Sequence, residues 1–313
     1  MSSIWTEKYR PNSFDDVKGQ DHIVSRIKSF VDMQNMPHLL FSGPSGVGKS
    51  SLAIVIAKKL FGEEWKQDFL ELNSSDERGI DVIRNTVKNF ARTRAIGNVP
   101  FKVIFLDECD ALTKDAQHAL RRTMENYTQT CRFILSCNYA SKIIDPIQSR
   151  CTLFKFRPLS KEDTFKILSK IENEEGLKID EDAKEALYEA SGGDCRKVEN
   201  ILQSCAVISN EINSDNVYQI ASAADPKELK EALQKAVKGN FLESRKELLK
   251  IMLNYGLSGL DIIRQIQKLV WELDVDDNKK MKLIEDCGEI EFRMVEGSDE
   301  FIQLEALLAR FGS

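Results

Sequence analysis

The chain has no CxxC pair, no apolar run long enough to cross a bilayer and no low-complexity tract. Its seven cysteines are odd in number. Without paired spacing they argue against a disulfide framework or a zinc ribbon, and fit structural thiols in a reducing cytosol. No segment approaches the roughly 18 apolar residues that a membrane span needs, and the opening MSSIWTEKYRP lacks a signal-peptide core. The expectation is a protein without membrane contact, cytoplasmic, or nuclear if its source is eukaryotic. An excess of positive charge is also missing. Lys and Arg number 44 against 50 Asp and Glu, a net of −6, which at first argues against nucleic acid. The balance is uneven, however. Residues 1–158 carry 23 Lys and Arg against 18 Asp and Glu, and the remainder carries 21 against 32. A basic front and an acidic rear leave room for a local basic face.

What is present is the composition of a globular protein, 42% hydrophobic and 30% charged over 313 residues, enough for two or three domains. The front alternates short apolar runs with helical patterns. HLLFS (38–42), DFLEL (68–72), KVIFLD (102–107), CRFILSC (131–137) and TLFKF (152–156) read as strands. Between them lie helical stretches such as SSLAIVIAKKLF and KDAQHALRRTMENY. Near-continuous apolar strands separated by helices predict a parallel five-stranded sheet covered on both faces, an α/β fold. After Pro158 the strand signal disappears. Ser160 with Asp163 opens a helix, further helices are expected at 181–190 and 195–209, and ASAADP marks a break before Asp225 as cap and Pro226 at the first helical position. The rest is helical, with Ile262, Ile266, Leu269, Val270 and Leu273 forming one apolar stripe. The expected domains are 1–158, 159–224 and 225–313.

Three strand ends carry the chemistry. GPSGVGKS, Gly43–Ser50, fits G-x-x-x-x-G-K-[ST] after a strand and before a helix. Gly43, Pro44, Ser45, Gly46, Val47, Gly48, Lys49, Ser50 and Ser51 would wrap a phosphate with backbone N–H groups at a helix start. Lys49 would reach the β- and γ-phosphates, and the Ser50 hydroxyl would hold Mg²⁺. VIFLDECD ends a buried strand in two carboxylates. Asp107 would meet the Mg²⁺ shell and Glu108 would polarise the attacking water; without a cation such burial would be costly. Asn138, after CRFILSC, could orient that water. Arg196, in GGDCR, could reach the nucleotide or be a surface cation. Arg150, in IDPIQSRC, lies about 100 residues beyond the phosphate loop. Spacing alone does not separate a catalytic cation there from a surface charge.

In this order the motifs resemble an AAA+ ATPase. WTEKYRP, Gly19-Gln20, MPHLLFSGPSGVGKSSLA, ELNSSDERGIDVIRN, FLDECDALTKDAQHALRRTMENY, FILSCNYASKIIDPIQSRC and GGDCRKVENILQS resemble the small subunits of replication factor C, the sliding-clamp loader of archaea and eukaryotes. The likeness is dense from residue 4 to about 205 and looser beyond. Cys109 stands where the family usually has Ala, and Ser45 and Ser50 where it usually has Pro and Thr. Ser50 keeps the hydroxyl.

The resemblance implies an AAA+ domain, a helical lid and an all-α collar joining five subunits, with a large subunit and other small subunits as partners. It implies ATP and Mg²⁺ as cofactors, a sliding clamp, and primer–template DNA held through its backbone. Arg10 and Val17 would border the nucleotide, with Asn138 and Arg196 as its sensors. Arg150 would be an arginine finger entering a neighbour's site, and Arg84, Lys88 and Lys142 would contact DNA. Arg84 and Lys88 are read as one turn apart on one face; a solvated face is the competing reading. Met124 and Tyr127 would touch the clamp or else pack in the core. Another AAA+ motor acting on DNA, or a non-hydrolysing structural subunit, are the alternatives.

Overall fold

The computed structural model describes residues 4–76, 79–95, 99–221 and 223–312. Glu77 and Arg78, within the ELNSSDERGIDVIRN motif, and Ser222, within ASAADP, lie outside the described residues. Two compact units divide the chain. The first takes residues 1–173 and 191–200, the second residues 174–190 and 201–313.

The first unit is built on five strands, β1 His38–Ser42, β2 Phe69–Asn73, β3 Lys102–Asp107, β4 Cys131–Cys137 and β5 Cys151–Lys155. They form one sheet in the order β2-β3-β4-β1-β5. Every neighbouring pair is parallel. Two of the sequence-derived bounds shift by one residue; the other three agree. The apolar runs look continuous because alternate side chains enter two different cores. Leu39, Phe41, Val103, Phe105 and Ile134 join one core with the helices Asp21–Asp32 and Lys49–Phe61. Leu40, Ile104, Leu106, Phe133 and Leu135 join the other with the helix over residues 80–92 and the helix Lys114–Asn126.

All five strands run the same way, so their C-terminal ends share one edge of the sheet. In open parallel sheets that edge is where ligands bind. The phosphate loop leaves β1 there, Asp107 ends β3, and Asn138 follows β4. Gln20, fully buried, fixes the chain beyond β5: its Nε2 donates to the Arg157 carbonyl at 2.7 Å.

In the second unit the helical expectation is met with one exception. A two-stranded parallel ladder, Lys178–Ile179 with Glu211–Ile212, lies where no strand signal was read. Two residues a side are too few to show a period of two. Asp225 caps the helix Pro226–Val237 by accepting from Lys227 N, with Pro226 in the first turn. Helices Phe241–Tyr255, Gly259–Leu269, Asp277–Val295 and Glu300–Phe311 follow. The stripe Ile262, Ile266, Leu269, Val270 and Leu273 is buried, as its spacing predicts.

Candidate functional site

One cavity of about 600 Å³ in the first unit gathers most of the sequence-derived site residues. Arg10, Val17, Ser45–Ser51, Asp107, Glu108, Asn138 and Arg196 all line it. The loop is shaped by glycines. Gly46 has φ +66° and Gly48 φ +95°, conformations that side chains resist. Gly46 also has no room for one. A Cβ there would fall 1.8 Å from Oδ1 of Asp194, which packs on the loop. The Gly46 carbonyl accepts from Cys195 N at 3.0 Å, closing the contact from the other side.

Lys49 and Ser50 open the helix Lys49–Phe61 and are almost wholly buried. Lys49 Nζ donates to the carbonyls of Gly43 and Pro44 at 2.7 and 2.6 Å. Neither of those two residues lines this cavity; Pro44 lines a second one of about 340 Å³ with Ser45, Asn138 and Tyr139. Burial pulls the Lys49 ammonium below its ordinary pKa, against the attraction of Asp107. Ser50 Oγ donates to Asp107 Oδ2 at 2.6 Å. Asp107 Oδ1 accepts from Glu108 N at 3.0 Å. Glu108 itself stands at φ +50°, a left-handed conformation rare outside glycine. It is exposed, whereas the Asp107 carboxylate is held by the Ser50 hydroxyl and the Glu108 N–H.

These groups suit a polyphosphate with a divalent cation. A loop turned by left-handed glycines, a buried ammonium, and a hydroxyl touching a carboxylate make up the donor set. Ser136 Oγ, on the same wall, is buried with no hydrogen-bond partner.

Several lining residues were not read from the sequence. Lys166, Ile167, Lys170 and Ile171 come from the helix Lys161–Glu175, whose charges look like an ordinary solvated face. Asp194, which buttresses the loop, caps the helix Cys195–Ile208 by accepting from Lys197 N at 3.1 Å. An aspartate before a helical run is a legible cap signal; its contact with Gly46 is not legible. Glu199 is buried on the cavity wall. Burial, aided by Asp194 and Glu7 and opposed by Arg196, raises its pKa to about 7.

Arg150 is not among the lining residues. It follows the short helix Asp145–Gln148, and its guanidinium pairs with Glu125 at 2.5 Å. Arg84 and Lys88 are exposed, but the segment Ile83–Val87 is π-wound. With i→i+5 bonding four residues still make close to one turn, so the two cations stay about a turn apart. Lys142 is exposed, its ammonium 5.4 Å from the Tyr139 ring centroid. Met124 is fully buried in the core beside Leu120. The expectation of an exposed apolar anchor there gives way to core packing, because the helix turns that position inward. Tyr127 is half-buried.

A parallel sheet with the phosphate loop after β1 and Asp107-Glu108 at the end of β3 has the AAA fold. The model of the ATPase family associated with various cellular activities matches residues 39–159, and that of the replication factor C C-terminal domain matches residues 224–310. A replication factor C small subunit from Archaeoglobus fulgidus is 54% identical over 98% of this chain and 96% of its own length. Another from Methanococcus vannielii is 53% identical over 100% and 99%. The chain belongs to the replication factor C small subunit family. Among solved structures, the RuvB Holliday junction branch migration motor of Thermotoga maritima superposes with a TM-score of 0.58 over 73% of this chain and 79% of that one. At 18% identity that likeness speaks for the fold alone.

Proposed function

We propose that the chain is an ATP-hydrolysing subunit of a clamp loader, which opens a sliding clamp and sets it on primer–template DNA. One observation carries this reading. The nucleotide-facing candidates other than Gly43 and Pro44 line a single cavity, whereas Arg150, the remaining cation of the catalytic set, does not line it and pairs with Glu125 instead.

In this reading the loop Gly43–Ser51 binds the phosphates through its N–H groups, and Lys49 exchanges its two carbonyl partners for phosphate oxygens. Mg²⁺, held by ATP with Ser50 and Asp107, would neutralise charge on the phosphates. Glu108 orients and polarises water, Asn138 positions it, and Arg10, Val17 and Arg196 frame the nucleotide. Arg150 completes a neighbour's site, where a cation supplied in trans can contribute several orders of magnitude in rate. Hydrolysis then depends on assembly.

The assembly is a ring of five, with a large subunit and other small subunits as neighbours. Residues 159–224 act as a lid and 225–313 as a collar; the match of the C-terminal family model from residue 224 supports the second boundary. Arg84, Lys88 and Lys142, all exposed, contact DNA phosphates without reading bases, so binding weakens steeply with salt. Tyr127 is the remaining candidate for clamp contact.

The test is ATP turnover in the reconstituted complex, with and without clamp and primed DNA. Turnover should need both, and Lys49→Ala should abolish nucleotide binding or turnover. Binding without phosphate release under all conditions would favour a structural subunit. Strand displacement by the protein alone would favour a motor.

A further inference from the structure

The segment from Lys142 to Arg150 is gripped by one helix, Lys114–Asn126, at two places. Near its start, Gln117 donates through Nε2 to the Lys142 carbonyl at 3.2 Å and accepts from Ile144 N at 2.9 Å through Oε1. At its end, eight residues further along the helix, Glu125 Oε1 meets Arg150 Nη2 at 2.5 Å. Both partners rest on the core. Leu120 and Met124 anchor the helix and Ile143 and Ile147 anchor the segment, all almost wholly buried. The guanidinium makes two more contacts within its own turn. Nη1 donates to the Pro146 carbonyl at 2.5 Å and lies 3.4 Å from Ser149 Oγ.

We propose that Glu125 is a positioning residue for Arg150, holding the guanidinium ready for the neighbouring site. This rests on the reading of Arg150 as a cation acting in trans. An arginine side chain has many rotamers, and docking it on a phosphate costs that freedom unless it is already spent. Three of the five N–H donors are engaged within the chain, which leaves two for phosphate oxygens. The carboxylate fixes Nη2, a nitrogen that the arginine's own turn does not hold. Glu125 also lies 3.8 Å from Arg121 Nε, so the carboxylate is steered from a second side.

The pair is not a fold-stabilising contact. The side chains of Arg150 and Glu125 are 37% and 36% exposed, and such ion pairs contribute little to stability. What the contact supplies is placement.

The experiment compares Glu125→Ala, Glu125→Gln and Arg150→Ala in the complete loader with clamp and primed DNA. For Glu125→Ala, kcat should fall about tenfold, with KM for ATP, thermal unfolding and assembly mass unchanged. For Glu125→Gln most of the rate should survive, because the amide oxygen still accepts from Nη2. Wild-type turnover in Glu125→Ala, or an equal fall in both Glu125 variants, overturns the assignment while Arg150→Ala remains inactive. Full turnover in Arg150→Ala overturns the trans reading itself, and the positioning role with it.

Discussion

The hydroxyl of Ser50 donates to Oδ2 of Asp107 across 2.6 Å, joining the first turn of the phosphate-loop helix to the end of β3. The two residues are 57 apart in sequence, and the parallel sheet brings them together. This pair is where a divalent cation would be held, so Ser50→Ala should separate metal-dependent from metal-independent binding. ATP affinity in excess Mg²⁺ should drop by about tenfold or more, while affinity in EDTA should change little. Titration with a fluorescent ATP analogue under both conditions reads the difference. Equal losses in both would place the hydroxyl elsewhere. Stability should fall by only about 1 kcal/mol, the net value of one hydrogen bond.

Gly46 and Gly48 share a left-handed backbone but not the same surroundings. A Cβ on Gly46 would strike the Asp194 carboxylate at 1.8 Å, whereas one on Gly48 would meet nothing within 4 Å. Both alanine variants carry the conformational cost, on the order of 1 kcal/mol. Gly46→Ala must in addition push Asp194 off the loop. Melting without nucleotide should therefore rank Gly46→Ala clearly below Gly48→Ala. The reverse order would mean that the contact between the loop and Asp194 is not held in solution.

Glu199 makes stability depend on pH in an uncommon direction. Burial lifts its pKa from the ordinary 4.5 to about 7, so the folded state holds a proton that the unfolded chain has already lost. Stability from this group therefore declines as pH rises from about 4.5 to 7, then levels off. Glu199→Gln removes the titration. The variant should gain on the wild type as pH rises, by up to about 3 kcal/mol above pH 7. Urea unfolding at pH 5 and pH 8 reads this. A difference between variant and wild type that does not grow with pH would show that the carboxyl is hydrated.

Much of this architecture is legible in the chain because its signals are local. Strands such as KVIFLD announce themselves by composition, Asp225-Pro226 by its capping chemistry, and GPSGVGKS by a spacing that few other structures use. The illegible parts depend on residues meeting across long separations. Asp194 reads as a helix cap, and only the folded chain shows it pressed on Gly46, 148 residues earlier. Lys166 and Lys170 look solvated until their helix is set beside the cavity. Met124 looked exposable because a helix period fixes a stripe but not which way the stripe faces. The π-wound turn at Ile83–Val87 has no sequence signature here.

Arg150 offers the sharpest test of assembly-dependent catalysis. Its guanidinium lies outside its own chain's nucleotide cavity, paired with Glu125. Arg150→Ala should thus leave ATP affinity within about twofold of wild type and reduce turnover in the assembled complex by about a thousandfold. Mixed assemblies separate the two geometries. One subunit carrying Arg150→Ala should silence the adjacent site that receives its finger while its own site still turns over, provided its own donor neighbour is intact. Pairing it with a Lys49→Ala subunit at a known position identifies which site fails. Loss of the mutated subunit's own site, with the neighbour's unaffected, would place the arginine in cis, although Arg150 does not line the cavity of its own chain.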